Sequence, residues 1–211
     1  MYTFVENKAA LGAVKSFGNE LMWALISKLT KKGIQATCFL IGSGAKNLVT
    51  QNGEKPFDLD YNLKVSSCPV ALDDLKDEIR FSFNEVLDSC GLPNCSDSTS
   101  SLTTAIFHLS SNPEIRFSLD VGVISENKNG QLQRLIHDKK VPWRRFLWVI
   151  APDSEAVDEK VDAIKSAGYW DCVREDYLRR KNHYLSKNDH EHPSFICYIE
   201  TINDVYNWMN Q

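Results

Sequence analysis

The sequence predicts an α+β fold, a mixed β-sheet flanked by helices and followed by a small C-terminal helical domain. Three observations carry this expectation. Apolar residues recur at three-and-four spacing over 11–32 and 71–90, they alternate over 57–65 and 115–125, and after Pro152 the pattern turns helical throughout. The 211 residues suit one domain of ordinary size with a modest appendage. We expect a core domain over 1–151 and a helical domain over 152–211, parted at "APDS" (151–154).

The first helix carries its stripe at Leu11, Val14, Phe17, Leu21, Leu25 and Leu29, and Gly33 ends it. It is expected to cover one face of a sheet. "ATCFLIG" (36–42) is a short apolar run closed by glycine and reads as a buried strand. In "FDLDYNLKV" (57–65), Phe57, Leu59, Tyr61 and Leu63 point one way and Asp58, Asp60 and Asn62 the other, which gives a strand with one wet face. Helical spacing returns through Leu72, Leu75, Ile79, Phe83, Val86 and Leu87, with Gly91 as the stop. "GLPNCSDSTSS" (91–101) reads as loop. "LTTAIFHLS" (102–110) and "IRFSLDVGVIS" (115–125) read as strands joined by the turn-rich "SNPE", and "RRFLWVIAP" (144–152) as one more. Helices are expected over 154–167, ended by Gly168, then over 170–186 and 194–210.

Composition narrows the function classes. A net charge of -4 argues against a surface that coats nucleic acid, since such binding is driven by phosphate neutralisation. None of the six cysteines forms a C-x-x-C pair and several sit in apolar runs, so reduced, buried thiols are expected, as suits a cytosol. The N-terminus lacks the order of a signal peptide, and no apolar run approaches the roughly 18 residues of a membrane helix. A cytoplasmic protein with no membrane partner is the expectation.

Residues two apart on a strand set their side chains on one face about 6.5–7 Å apart. Asp58 and Asp60 can therefore converge on shared cations, a spacing that suits a two-metal site. Magnesium prefers such hard oxygen ligands. Upstream, Gly42 ends a buried strand and lets the backbone approach a phosphate, while Ser43 adds a hydroxyl. Asp120 lies on a later strand whose wet face, shared with Arg116 and Ser118, could carry all three acids as one cluster. Each motif alone has an ordinary reading, a strand-to-helix turn or a solvated strand face. The conjunction, in this order, carries the site.

"IGSG" (41–44), "FDLDYNL" (57–63) and "FSLDVGV" (117–123) together resemble the nucleotidyltransferases of the DNA polymerase beta superfamily. Their mark is a strand ending in Gly-Ser, a helix, a strand with Asp-x-Asp, and a third Asp on a later strand. The resemblance covers roughly residues 12–125, and a helical domain often follows in such enzymes. It implies that Gly42 and Ser43 hold a nucleoside triphosphate such as ATP, that Asp58 and Asp60 ligate magnesium, and that Asp120 binds a second magnesium ion and orients the acceptor hydroxyl. One departure stands out: fourteen residues separate Ser43 from Asp58, slightly more than the family usually has. The connector "TQNGEKPF" (50–57) is expected to reshape the cleft mouth.

The implied reaction is attack of an acceptor oxygen on the α-phosphate, with release of pyrophosphate. A small molecule or a protein hydroxyl is the expected acceptor, with a nucleotide or RNA end as the alternative; the acidic balance disfavours long nucleic acid. The rival from another class is a catalytically silent binding module that keeps the fold. Three clustered acids argue against it, because folding alone gives no reason to cluster like charges.

Other residues have both a sharp and a plain reading. Lys46 is a candidate phosphate contact or a solvated lysine. "HEH" (190–192) lacks a third ligand at zinc-like spacing and reads as loop. His108 reads as a hydrogen-bonded core histidine, and "LRRKNHY" (178–184) as a solvated basic face or an anion contact. The last helix, with Tyr198, Tyr206 and Trp208, reads as packing, with a homodimer contact as the alternative.

Overall fold

The structure is a computed structural model describing all residues except 139, 142–144, 152–154, 185–186 and 188–193. The chain divides into two compact units, one formed by Asn7–Asn47 and Pro56–Ala151, the other by Met1–Glu6, Leu48–Lys55 and Pro152–Gln211.

The first unit is a sheet with helices on one face. Helix α1 (Lys8–Lys31) starts where the Asn7 side chain accepts a hydrogen bond from the Ala10 amide at 3.0 Å. Strand β2 (Gln35–Leu40) pairs antiparallel with β4 (Phe57–Ser67), and β4 pairs in parallel with β8 (Asn112–Glu126). Parallel neighbours need a crossover, and the connection between them includes α3 (Leu72–Ser89). Beyond β8 lie β9 (Leu132–His137) and the edge strand β10 (Phe146–Ile150), both antiparallel.

Strand parity falls as the alternation predicts. Leu59, Tyr61 and Leu63 are fully buried, as are Val14, Leu25, Ile79 and Phe83 of the helices, while Asp58 is exposed and Asp60 and Asn62 are half-buried. Each such apolar side chain contributes about 1.5–3 kcal/mol. Helix α1 approaches so closely at Gly18 that a Cβ there would lie 2.5 Å from the Tyr61 hydroxyl. Phe117 is the centre of a ring cluster, 5.7 Å from Phe107, 6.0 Å from Phe17 and 6.2 Å from Phe57, and this pins the starts of β4 and β8 together.

Several expectations need correction. "LTTAIFHLS" is not one strand: β6 (Leu102–Thr103) and β7 (Phe107–Leu109) are separate, because Thr104 turns its hydroxyl to the Leu119 amide of β8 at 2.9 Å. The stretch read as loop contains β5 (Ser96–Asp97), paired with β6. Strand β9 was not anticipated. His108 is exposed rather than core, with its ring bonded to the Pro113 carbonyl at 3.0 Å, since it sits opposite Arg116 on the wet parity. All six cysteines are free, yet only Cys95 and Cys197 are buried and Cys90 is exposed.

The second unit contains the helices α4 (Glu155–Ser166), α5 (Trp170–Tyr184) and α6 (Ser194–Met209). Their core joins Val161, Ile164, Val173, Tyr177, Cys197 and Ile202 with Leu48. The unit also holds a two-stranded sheet, β1 (Tyr2–Phe4) against β3 (Thr50–Asn52). The connector over 50–57 is therefore not simply a loop at a cleft mouth. Residues 1–6 and 48–55, expected in a 1–151 core, lie with the helices because Leu48 inserts in their core and the Val5 amide bonds the Val49 carbonyl at 3.1 Å. Residues 185–186 of the expected 170–186 helix, the loop "HEH", the start of the expected strand at 144 and most of the "APDS" break lie outside the described residues. Among the described residues no helix is long and apolar enough to cross a membrane.

Candidate active site

After β2, the chain enters α2 (Gly42–Lys46), a single short helical turn. Gly42 has φ +59°, a left-handed conformation that favours glycine. A Cβ there would stand 2.8 Å from Asp60 Oδ2, so the bare backbone is what allows the turn to approach the acid. The Ile41 amide donates to the Asp60 carbonyl at 2.8 Å and fixes this approach. Gly44 is wedged against Leu40 and Leu59, where a Cβ would meet both at 3.0 Å. Ser43 and Lys46 are half-buried in this turn, and Asn47 caps it with φ 56°.

The acids stand on the sheet face opposite α1. Asp60 and Asp120 are register partners on the parallel strands β4 and β8, and Asp58 is the partner of Ser118. On the other side of β8, Thr103 is the antiparallel partner of Asp120. The Ser118 hydroxyl donates a short hydrogen bond to Asp58 Oδ1. Asp120 Oδ1 receives a short one from the Thr103 hydroxyl and a long one, 3.5 Å, from Ser101. Both acids thus have one oxygen held by hydroxyls, and their Oδ2 atoms receive no hydrogen bond among the described residues. Among the described residues no ion pair reaches either.

Burial pushes the Asp120 carboxyl above the usual carboxylate value of 3.8; the Thr103 hydrogen bond opposes this, the charge of Asp58 adds to it, and Ser101 opposes it in turn. The acids feel one another, but they form a row along two strands. Among the described residues no group of three His, Cys, Asp or Glu side chains is placed to hold a metal ion as it stands.

The donor chemistry nevertheless fits magnesium. Hard carboxylate oxygens on one face, two of them with open Oδ2 atoms, are the ligands that ion takes. Ser101 escapes the sequence reading because "SDSTSS" (96–101) looks like any polar loop, and Thr103 because it falls in "LTTAIFHLS" (102–110), which reads as one strand; the density of hydroxyls before the strand bearing Asp120 was the available signal. Farther along the same face, Asn62 accepts from Arg134 at 3.2 Å, the guanidinium lying over Gly122.

No protein-family model matches the chain, and no curated protein does. Solved structures do. CdnC of E. coli MS115-1, in a structure with ATP, superposes with a TM-score of 0.59 at 15% identity over 93% of this chain and 61% of its own. The CdnE cyclic dinucleotide synthase of Elizabethkingia meningoseptica, with GTP and Apcpp, gives 0.58 at 12% over 92% and 69%. This is the nucleotidyltransferase fold. The STING-associated CdnE c-di-GMP synthase of Capnocytophaga granulosa shares it, with 0.56 at 16% over 92% of this chain and 59% of its own. The chain thus spans about three fifths of the length of CdnC. In this chain the motifs "IGSG", "FDLDYNL" and "FSLDVGV" fall on the α2 turn, on β4 and on β8, its parallel partner.

Proposed function

We propose that the chain is a nucleotidyltransferase that transfers a nucleoside monophosphate from a nucleoside triphosphate to a hydroxyl acceptor and releases pyrophosphate. The observation that carries this is the register of Asp60 with Asp120, directly beside the Gly42 turn. Gly42 and Ser43 hold the triphosphate through backbone N–H groups and a hydroxyl, with Lys46 adding a point charge. Asp58, Asp60 and Asp120 would hold magnesium, which when bound neutralises charge at the transferring phosphate. The residues' own work is positioning: they fix the triphosphate and align the acceptor oxygen in line with the α-phosphate. Asp120, with its Oδ1 held by the Thr103 and Ser101 hydroxyls, orients the acceptor hydroxyl.

The acceptor we favour is the hydroxyl of a second nucleotide. The support is the likeness to two enzymes named as cyclic dinucleotide or c-di-GMP synthases. A small-molecule or protein hydroxyl, the acceptor the sequence leads one to expect, is the competing outcome when the labelled product is identified.

The silent-module reading keeps one observation in its favour, the hydroxyl contacts that satisfy Asp58 and Asp120. Thermal unfolding separates the two. A ligand bound only by the native state raises the melting temperature, so magnesium together with ATP or GTP is expected to raise it in the wild type and not in Asp58→Ala/Asp60→Ala. No shift with any triphosphate supports the silent module.

A further inference from the structure

Lys76 lies on α3, on the same apolar stripe as Leu75, Ile79 and Phe83, and is 1% exposed. A buried ammonium needs partners. Its Nζ is 2.6 Å from Asp97 Oδ1 and donates to the Ser98 carbonyl at 2.8 Å, with the Phe146 ring 5.9 Å away. All of these contacts but the ring fall on the β5–β6 hairpin. From the β9 side, His137 Nδ1 lies 3.0 Å from Asp97 Oδ2, and the His137 amide donates to the Thr99 carbonyl at 2.8 Å. The hairpin tip is closed within itself: the Ser98 and Ser101 hydroxyls are 2.8 Å apart, and the Ser98 amide donates to the Ser101 carbonyl at 3.0 Å. What the hairpin presents outward is the pair of hydroxyls, Ser101 and Thr103, on Asp120 Oδ1.

We propose that Lys76 is a positioning residue for Asp120: by bolting the hairpin through Asp97 and Ser98, it holds the two hydroxyls that fix Asp120 Oδ1 and leave Oδ2 turned to a ligand. This rests on the reading of Asp120 as a metal-holding residue. A hairpin of two-residue strands has little pairing of its own, and a two-stranded hairpin is marginal without packing. An ion pair sunk in the apolar stripe supplies the rigidity that the strands do not. Groups behind a metal ligand of this kind typically change metal affinity 10–100-fold.

The test uses the full chain and Mn2+ alone, with free Mn2+ read by electron paramagnetic resonance and amide exchange read by mass spectrometry. Lys76→Met/Asp97→Asn removes both buried charges together, a change that cores often tolerate. It is expected to speed exchange over 98–103 and to weaken Mn2+ binding about 10-fold. Thr103→Val is expected to weaken it comparably, and the triple variant by no more than the larger of the two, because both act on one carboxylate. Reciprocity gives a readout in the wild type alone: Mn2+ must slow exchange at the amides of Ser98 and Ser101. Wild-type affinity in the paired variant, multiplicative losses in the triple variant, or no slowing in the wild type overturns the proposal while leaving the metal reading intact. No Mn2+ binding by the wild type overturns both.

Discussion

Asp60 and Asp120 stand abreast on neighbouring parallel strands, and Asp60 Oδ2 lies where a side chain on Gly42 would begin. This one relationship brings three segments far apart in sequence to a single point: the turn after β2, the middle of β4 and the middle of β8. Each feature depends on the others, so a change at the glycine must be read at the acid.

Gly42→Ala tests that dependence against a matched control. Gly42 and Gly53 have nearly the same φ, +59° and +58°, but a Cβ on Gly53 meets nothing within 4 Å. Both alanines carry the left-handed strain of about 1–2 kcal/mol. Only Gly42→Ala displaces the Asp60 carboxylate. We expect similar losses of melting temperature in the two variants and a loss of nucleotidyl transfer of at least about tenfold in Gly42→Ala alone. Equal activities would show that the close approach has no catalytic role.

Two acids should respond to pH in opposite directions. Asp120, raised by burial and by Asp58, binds its proton more tightly when folded, so its contribution to stability falls as pH rises from the unfolded value of 3.8 through its folded value. Asp120→Asn should therefore melt higher than wild type at neutral pH, with the gain vanishing as pH falls towards 3.8. Each 1 kcal/mol of relief reads as about 2–4 °C. For Asp176 burial alone acts upward, but hydrogen bonds and charge from Arg180 and Arg179 hold its carboxyl below the usual value. Its contribution is present above 3.8 and is lost as pH falls through the folded value. Asp176→Asn should melt lower than wild type at neutral pH and converge with it in acid; melting curves over this range on both variants check the signs.

Thiol labelling follows burial. Cys38 is pushed up to about 12 and Cys95 up to about 11, in both cases chiefly by burial, and the thiolate is the reactive form. Iodoacetamide at mildly alkaline pH should modify the exposed Cys90 first, the half-buried Cys38 more slowly, and the buried Cys95 only on unfolding. Peptide mass spectrometry over a time course reads the order, and early modification of Cys38 would contradict the packing of β2.

Much of this was legible in the residues themselves. Strand parity separated Asp58 and Asp60 from Phe57, Leu59 and Leu63, and the apolar stripes placed α1 and α3, because burial on one face leaves a periodic trace. Features fixed by partners distant in sequence left no such trace. Strand β3 was missed because three polar residues, Thr50 to Asn52, show no alternation, and only the pairing with Tyr2–Phe4 makes them a strand. Lys76 was passed over although a lysine at that place in the stripe of Leu72, Leu75, Ile79 and Phe83 breaks the pattern; its partner Asp97 lay in a stretch read as loop. Facing direction put Asp58, Asp60 and Asp120 on one side of the sheet, but direction does not name the Ser118 and Thr103 hydroxyls that reach Asp58 and Asp120.

The central claim is transfer of a nucleotidyl group by the acids of β4 and β8. The most direct measurement incubates the chain with magnesium and ATP or GTP labelled at the α-phosphate, and follows labelled product and pyrophosphate beside Asp58→Ala/Asp60→Ala. The account predicts pyrophosphate release with the label joined to a hydroxyl acceptor, a second nucleotide first, and loss of both in the variant. Release that persists undiminished in the variant, or none from any triphosphate with any acceptor supplied, would contradict it.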